Sequence, residues 1–207
     1  MKKINLDNVY DFELLVSELT DVLKQGGLVV VPTDTCYGIL ADANNLDCLE
    51  KVRVLRALPE TEYLPLLICD SVKLLSLLSL DDTTTQLIEE YLPGPLTVIA
   101  EGVGKYEGHF IGVRYPEHNL LTEIYKNFKG DLILTAAAKF GMTPVYDVEQ
   151  LSQQYDSLND IEIIVDAGTL DLIRLSTVVK SEDNQIEILR EGKLTSLLVS
   201  QFSHKQV

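Results

Sequence analysis

The chain has 207 residues, more than the ~100–150 usual for one domain and fewer than the ~250–300 at which cores divide, so a single domain spanning 1–207 is expected. Apolar residues make up 46% and charged residues 24%, which are ordinary globular values, and no stretch is long and apolar enough to cross a bilayer. A net charge of −15 repels phosphate backbones at long range, and no Lys/Arg run offsets it, so non-specific nucleic-acid binding is disfavoured.

The start Met1-Lys2-Lys3 runs into Asn5, Asp7 and Asn8 where an export signal would turn apolar, so a cytoplasmic location is expected. Val9, Phe12, Leu15, Val16, Leu19, Val22 and Leu23 recur at helical steps, and Gly26-Gly27 ends that helix. Residues 28–31 form a short β-branched run closed by Pro32, the pattern of a strand buried on both faces, and 33–38 read as a loop. A second helix is predicted over 46–58 and a buried strand over 65–69. Further helices are predicted near 71–78, 84–92, 118–128 and 148–155. Strands are predicted at 96–100, 110–114, 132–135, 161–165, 176–179 and 186–189. This mixture argues for an α/β fold with a mixed sheet and helices packed on it. Cys36, Cys48 and Cys69 have no C-x-x-C spacing and no nearby His, so they read as packing residues rather than a disulfide framework or a zinc site.

The most informative segment is Val29-Val30-Val31-Pro32-Thr33-Asp34-Thr35-Cys36-Tyr37-Gly38: a strand that ends abruptly, a turn with hydroxyls and a carboxylate, and a Gly that admits a close backbone approach. On its own it is equally a strand cap and turn. The string resembles the P-T-D-T-x-Y-G signature of the YrdC/Sua5/YciO superfamily, and the resemblance continues in order. Pro93-Gly94-Pro95-Leu96-Thr97 is similar to W-P-G-P-x-T, and Gly112-Val113-Arg114-Tyr115-Pro116-Glu117-His118 to G-V-R-x-P-x-H. Ser176-Thr177-Val178-Val179 and Leu189-Arg190-Glu191-Gly192 are similar to the S-T-V and R-E-G elements, so the resemblance covers about 11–192.

The resemblance implies a YrdC-like twisted mixed sheet with a concave ligand-binding face. It also implies an L-threonylcarbamoyladenylate synthase activity: L-threonine, bicarbonate and ATP give threonylcarbamoyl-AMP and pyrophosphate, for N6-threonylcarbamoyladenosine in tRNA. ATP is then a substrate, with magnesium, no prosthetic group is required, and tRNA-modification enzymes are the implied partners. Because threonine's amine and then the carbamate oxygen attack, no protein nucleophile is expected. The protein's part is positioning and charge stabilisation. The implied threonine-binding residues are Thr33, Thr35, Tyr37, Arg114 and Ser176, and the implied ATP-binding residues are Arg56, Thr135 and Arg190. Beside these stand plainer readings: turn packing for Thr33, Thr35 and Tyr37, a surface ion pair for Arg114, a strand position for Ser176 and an exposed cation for Arg190.

The pattern breaks twice. Arg56-Ala57-Leu58-Pro59 stands where the family has K-x-R-P, a form more like the YciO branch, and Thr135-Ala136-Ala137-Ala138 stands where it has T-S-A-N. Lys139, next in line, is a candidate phosphate contact in place of the lost polar groups, beside the plainer reading of an exposed lysine. A site that keeps its cavity is expected to accept Ser at 136 and Asn at 138 with little strain. Two other functions therefore stay open: a double-stranded RNA-binding protein, and a catalytically degenerate paralogue that binds another nucleotide or an acyl-adenylate.

Overall fold

In the computed structural model, which describes residues 1–203, ten strands and seven α-helices make a mixed α/β arrangement. The chain divides into two units, Met1–Glu62 with His118–Ile173, and Tyr63–Glu117 with the chain from Arg174 onward.

Elements are numbered along the chain. The first unit holds β1 (Lys2–Asn5), α1 (Phe12–Lys24), β2 (Leu28–Val31), β3 (Gly38–Asp42), α2 (Leu46–Arg56), α5 (Asn119–Phe128), β7 (Leu132–Ala136), α6 (Glu149–Gln154) and β8 (Ile161–Asp166). Its strands run in the order β1-β8-β2-β3-β7, with β8 parallel to β1 and β2 and the other pairs antiparallel. Helix α1 begins three residues later than Val9 suggests, because the Asp11 carboxylate caps it by accepting from the Leu14 amide at 2.9 Å. It buries Leu15, Val16, Leu19 and Leu23 and stops at Gly26, whose φ of +81° suits glycine.

Two strands of this unit escaped the sequence reading. In β1 only Ile4 is apolar, and the strand forms as a parallel edge on β8, held in part by the Lys3–Asp166 ion pair at 2.9 Å. In β3 the run Gly-Ile-Leu-Ala-Asp is too short to show a period, yet it lies between β2 and β7 and is almost wholly buried. Cys36 and Cys48 are buried, as a packing role predicts, while Cys69 is half-buried.

The second unit holds β4 (Leu66–Leu67), α3 (Ser71–Leu77), α4 (Asp82–Tyr91), β5 (Leu96–Glu101), β6 (Phe110–Arg114), β9 (Thr177–Glu182), β10 (Gln185–Arg190) and α7 (Ser196–Ser203), a helix the sequence reading did not predict. Strand order is β4-β6-β5-β9-β10. Side chains alternate across a strand, so register assigns faces. Thr97 lies opposite both Arg114 and Val178, and Arg190 opposite Val178, which puts Thr97, Arg114, Ser176 and Arg190 on one face. Val98, Val113, Val179 and Ser181 take the other face, where the Thr84 hydroxyl of α4 meets that of Ser181 at 2.7 Å.

Candidate functional site

In the first unit the turn after β2 is organised by one hydroxyl. Thr33 Oγ1 donates to the Cys36 carbonyl at 2.7 Å, accepts from the Thr35 and Cys36 amides at 3.1 and 3.2 Å, and pairs with Thr35 Oγ1 at 3.2 Å. A hydroxyl has one proton and two lone pairs, so the Cys36 carbonyl and the two amides fill the capacity of Thr33, which is spent on its own loop. Thr33 also explains Gly38: a Cβ there would sit 3.1 Å from the Thr33 methyl and 2.8 Å from Leu134 Cδ1.

Tyr37 is wholly buried. Its hydroxyl donates to the Gly168 carbonyl at 2.7 Å and accepts from the Ala167 amide at 2.9 Å, and burial pushes its pKa up to about 12. Both bonds tie the loop after β8 to the loop after β2, which is the work of a strut. His118, the last residue of the G-V-R-x-P-x-H string, caps α5 with no side-chain cap bond. Its Nδ1 is buried without a partner, and burial lowers its pKa against the opposing field of Asp34.

Arg56 ends α2 and is directed at the segment after β7. Its Nε donates to the Ala138 carbonyl at 2.8 Å and its Nη1 to the Thr135 hydroxyl, while its own carbonyl accepts from the Phe140 amide at 2.7 Å. Two of the three residues expected at ATP, Arg56 and Thr135, are thus in direct contact. The Tyr155 hydroxyl donates to the Ala137 carbonyl at 3.0 Å, and Lys139 Nζ lies 5.6 Å over the Tyr155 ring. Ala136 is half-buried, whereas Ala138 is only 3% exposed.

In the second unit the motifs interlock. The amide of Gly94 donates to the Tyr115 carbonyl at 2.8 Å and that of Thr177 to the Pro95 carbonyl at 2.9 Å, so the Pro93–Thr97 string braces β6 and β9. Gly192 passes so close to the S-T-V segment that a Cβ would fall 2.1 Å from the Leu175 carbonyl oxygen. The Thr177 hydroxyl holds that crossing by accepting from the Gly192 and Leu194 amides at 3.1 and 3.0 Å.

On the face above this crossing, Arg114 is 5% exposed and donates from Nη1 to the Leu96 carbonyl at 3.2 Å. A guanidinium this buried is stable only when its charge is answered by acceptors, so Arg114 is not a surface side chain. Ser176 Oγ lies 2.9 Å from Thr97 Oγ1 and accepts from Arg190 Nη2 at 3.2 Å, while Arg190 Nε and Nη2 both donate to the Ser176 carbonyl at 3.3 and 3.0 Å. Sequence reasoning assigned Arg114 and Ser176 to threonine and Arg190 to ATP, whereas the fold joins Arg190 to Ser176; it missed Thr97, whose position at the end of the Pro-Gly-Pro string was the available signal. Two guanidinium groups and two hydroxyls on one sheet face suit an anionic group such as a carboxylate or phosphate. No described helix is long and apolar enough to cross a membrane.

Comparison with known proteins agrees with the order of these motifs. The Sua5_yciO_yrdC family model, described as "Telomere recombination", matches residues 21–192. A Methanocaldococcus jannaschii chain named for threonylcarbamoyl-AMP synthase is 28% identical over 174 residues, with 82% of each chain covered. The Bos taurus threonylcarbamoyl-AMP synthase is 28% identical over 159 residues, and the match takes in 72% of this chain but only 54% of the bovine one. Among solved structures, Pyrococcus abyssi Sua5 complexed with L-threonine superposes at a TM-score of 0.82 and 19% identity, over 97% of this chain and 60% of that one. Escherichia coli YciO superposes at 0.79 and 22% identity, over 92% and 94% of the two chains. With the motifs in order, the family model across most of its length and the same mixed α/β fold, the chain belongs to the Sua5/YciO/YrdC family.

Proposed function

We propose that residues 1–207 act as one functional domain that makes threonylcarbamoyl-AMP from L-threonine, bicarbonate and ATP, with release of pyrophosphate. The observation that carries the reading is the buried Arg114 guanidinium sharing a sheet face with Thr97, Ser176 and Arg190. In this reading Arg114 of the second unit takes the threonine carboxylate, Ser176 adds a hydroxyl and Arg190 serves ATP; of the first unit's residues, Thr35 is assigned to threonine and Arg56 and Thr135 to ATP. Tyr37 and Thr33 contribute by fixing the loop. Magnesium enters with the triphosphate of ATP, and the product passes to enzymes of tRNA N6-threonylcarbamoyladenosine formation. The chemistry needs in-line alignment and stabilised phosphate charge, both of which fixed donors supply.

The test is pyrophosphate release from ATP, with magnesium, as a function of L-threonine and bicarbonate. Arg114→Ala is expected to raise the threonine requirement about 10- to 150-fold, the equivalent of ~1.5–3 kcal/mol for a hydrogen bond to a charged group. Absence of threonine-dependent release by the unaltered chain would overturn the reading. A second reading is favoured by one observation: Arg56 already donates to Thr135 and Ala138, and Ala138 is closed off. It is a paralogue that holds another nucleotide or an acyl-adenylate. A thermal-shift panel separates the two readings, since a ligand at 100 times its Kd adds ~2.7 kcal/mol.

A further inference from the structure

The bulge near the end of β10 has a consequence for Ser176. Ile188 pairs with Val179, so a regular ladder would set Leu189 opposite Val178; the irregularity between Ile188 and Arg190 sets Arg190 there instead. A bulge re-aims a side chain by one position. Here it carries the Arg190 guanidinium onto the face of Ser176, where the fork grips that residue's carbonyl through Nε and Nη2 and its hydroxyl through Nη2.

Ser176 Oγ thus has one lone pair occupied by Arg190 and stands 2.9 Å from Thr97 Oγ1. Among the described residues Ser176 is the one hydrogen-bond partner of the Thr97 hydroxyl, and Thr97 is the deeper of the two, 3% exposed against 7%. If Ser176 gave its proton to Thr97, the Thr97 proton would be buried with no acceptor, a costly state. If Thr97 gives its proton to Ser176, both lone pairs of Ser176 are filled and its single proton is left for a ligand. Only the second direction satisfies every group once an acceptor arrives.

We infer that Thr97 and Arg190 are positioning residues that make Ser176 an obligate proton donor, aimed at an oxygen of the substrate's anionic group. The inference rests on the proposed function for the identity of that group, the threonine carboxylate, but its logic holds for any oxyanion. Arg190 accordingly acts through Ser176 in addition to whatever charge it offers a phosphate.

The experiment measures binding of L-threonine, L-threoninamide and inorganic pyrophosphate to the full chain by calorimetry, for the unaltered protein and for Thr97→Val, Thr97→Ser and Arg190→Lys. Thr97→Val is expected to weaken whichever anion binds about tenfold, Thr97→Ser to stay within about twofold, and Arg190→Lys, which keeps the charge but loses the fork, to resemble Thr97→Val. The donor role has its own signature. Thr97→Val frees Ser176 to turn and accept, so the preference for the carboxylate over the carboxamide should narrow. Unchanged anion binding in folded Thr97→Val, or failure of Thr97→Ser to rescue, would overturn the inference. Should Thr97→Val not fold, unweakened binding by Arg190→Lys would do the same. Binding of pyrophosphate without threonine would sink the proposed function while the Val/Ser comparison on pyrophosphate still decides this one. If the chain binds neither anion, both fall.

Discussion

Ala138 offers the sharpest physical test of the site. Asparagine stands at this place in the family pattern, and from sequence the restoration looks sterically cheap. The structure argues otherwise. Ala138 is only 3% exposed, its carbonyl holds Arg56 Nε at 2.8 Å, and the preceding carbonyl, that of Ala137, holds the Tyr155 hydroxyl at 3.0 Å. A carboxamide placed there must displace packed neighbours, at ~1–3 kcal/mol, and competes with Arg56 and the Tyr155 hydroxyl for the nearby carbonyls, so that an amide left unsatisfied adds a further ~1–3 kcal/mol. Ala138→Asn should therefore cost about 2–6 kcal/mol, a fall in melting temperature of roughly 4–24 °C for a chain of this size. Ala136→Ser is the internal control. Position 136 is half-buried at the end of β7, opposite Gly38, so its melting temperature should stay within about 2 °C. Thermal denaturation of both variants, followed by ATP titration, reads the outcome. An Ala138→Asn protein that melts like the parent and binds ATP about tenfold more tightly would refute the claim that this wall is closed.

Tyr37→Phe should lower stability by ~1–3 kcal/mol, because the Gly168 carbonyl and Ala167 amide lose their shared partner, while threonine affinity changes less than tenfold. An affinity loss without a melting change would instead make Tyr37 a ligand residue. His118 predicts a pH effect. Burial lowers its pKa in the folded chain below the ordinary value of 6.5, so the unfolded chain binds more protons just below that pH. Stability should accordingly fall as pH drops from 7.5 to 5.5. Melting curves of His118→Asn, which removes the titration and leaves a polar side chain at the N-cap, should show a smaller fall; an equal fall would refute the assignment.

Much of the fold was legible because burial and period coincide. The run 28–31 is β-branched and bounded by Gly27 and Pro32, and it forms β2 as read. Helix α1 follows its apolar spacing to the Gly26 stop. The misses share a cause: their stabilisation is tertiary. Four residues with one apolar side chain form β1 because β8 offers a parallel edge, and β3 forms because β2 and β7 lie on either side. The Arg190 bulge is likewise invisible in Ile186-Glu187-Ile188-Leu189-Arg190, where simple alternation would put Leu189, not Arg190, on the face of Ser176.

The motifs themselves were easier to find than to interpret, since a string of polar residues does not say which of its hydrogen-bonding atoms are already used. Thr33 fills its capacity within its own turn, Tyr37 between two loops, and Thr177 on the crossing that Gly192 permits. These three hold backbone in place, and replacing any of them would disturb the fold first. Ser176 differs in kind: its acceptor positions face Arg190 and Thr97, and its proton is the part left over. The division follows from counting one proton and two lone pairs per hydroxyl. It separates the residues whose substitution reports on scaffold from those whose substitution reports on recognition. A threonine-site reading that survives should therefore show its largest binding losses at Arg114, Ser176 and Thr97, and its largest melting losses at Tyr37 and Thr177.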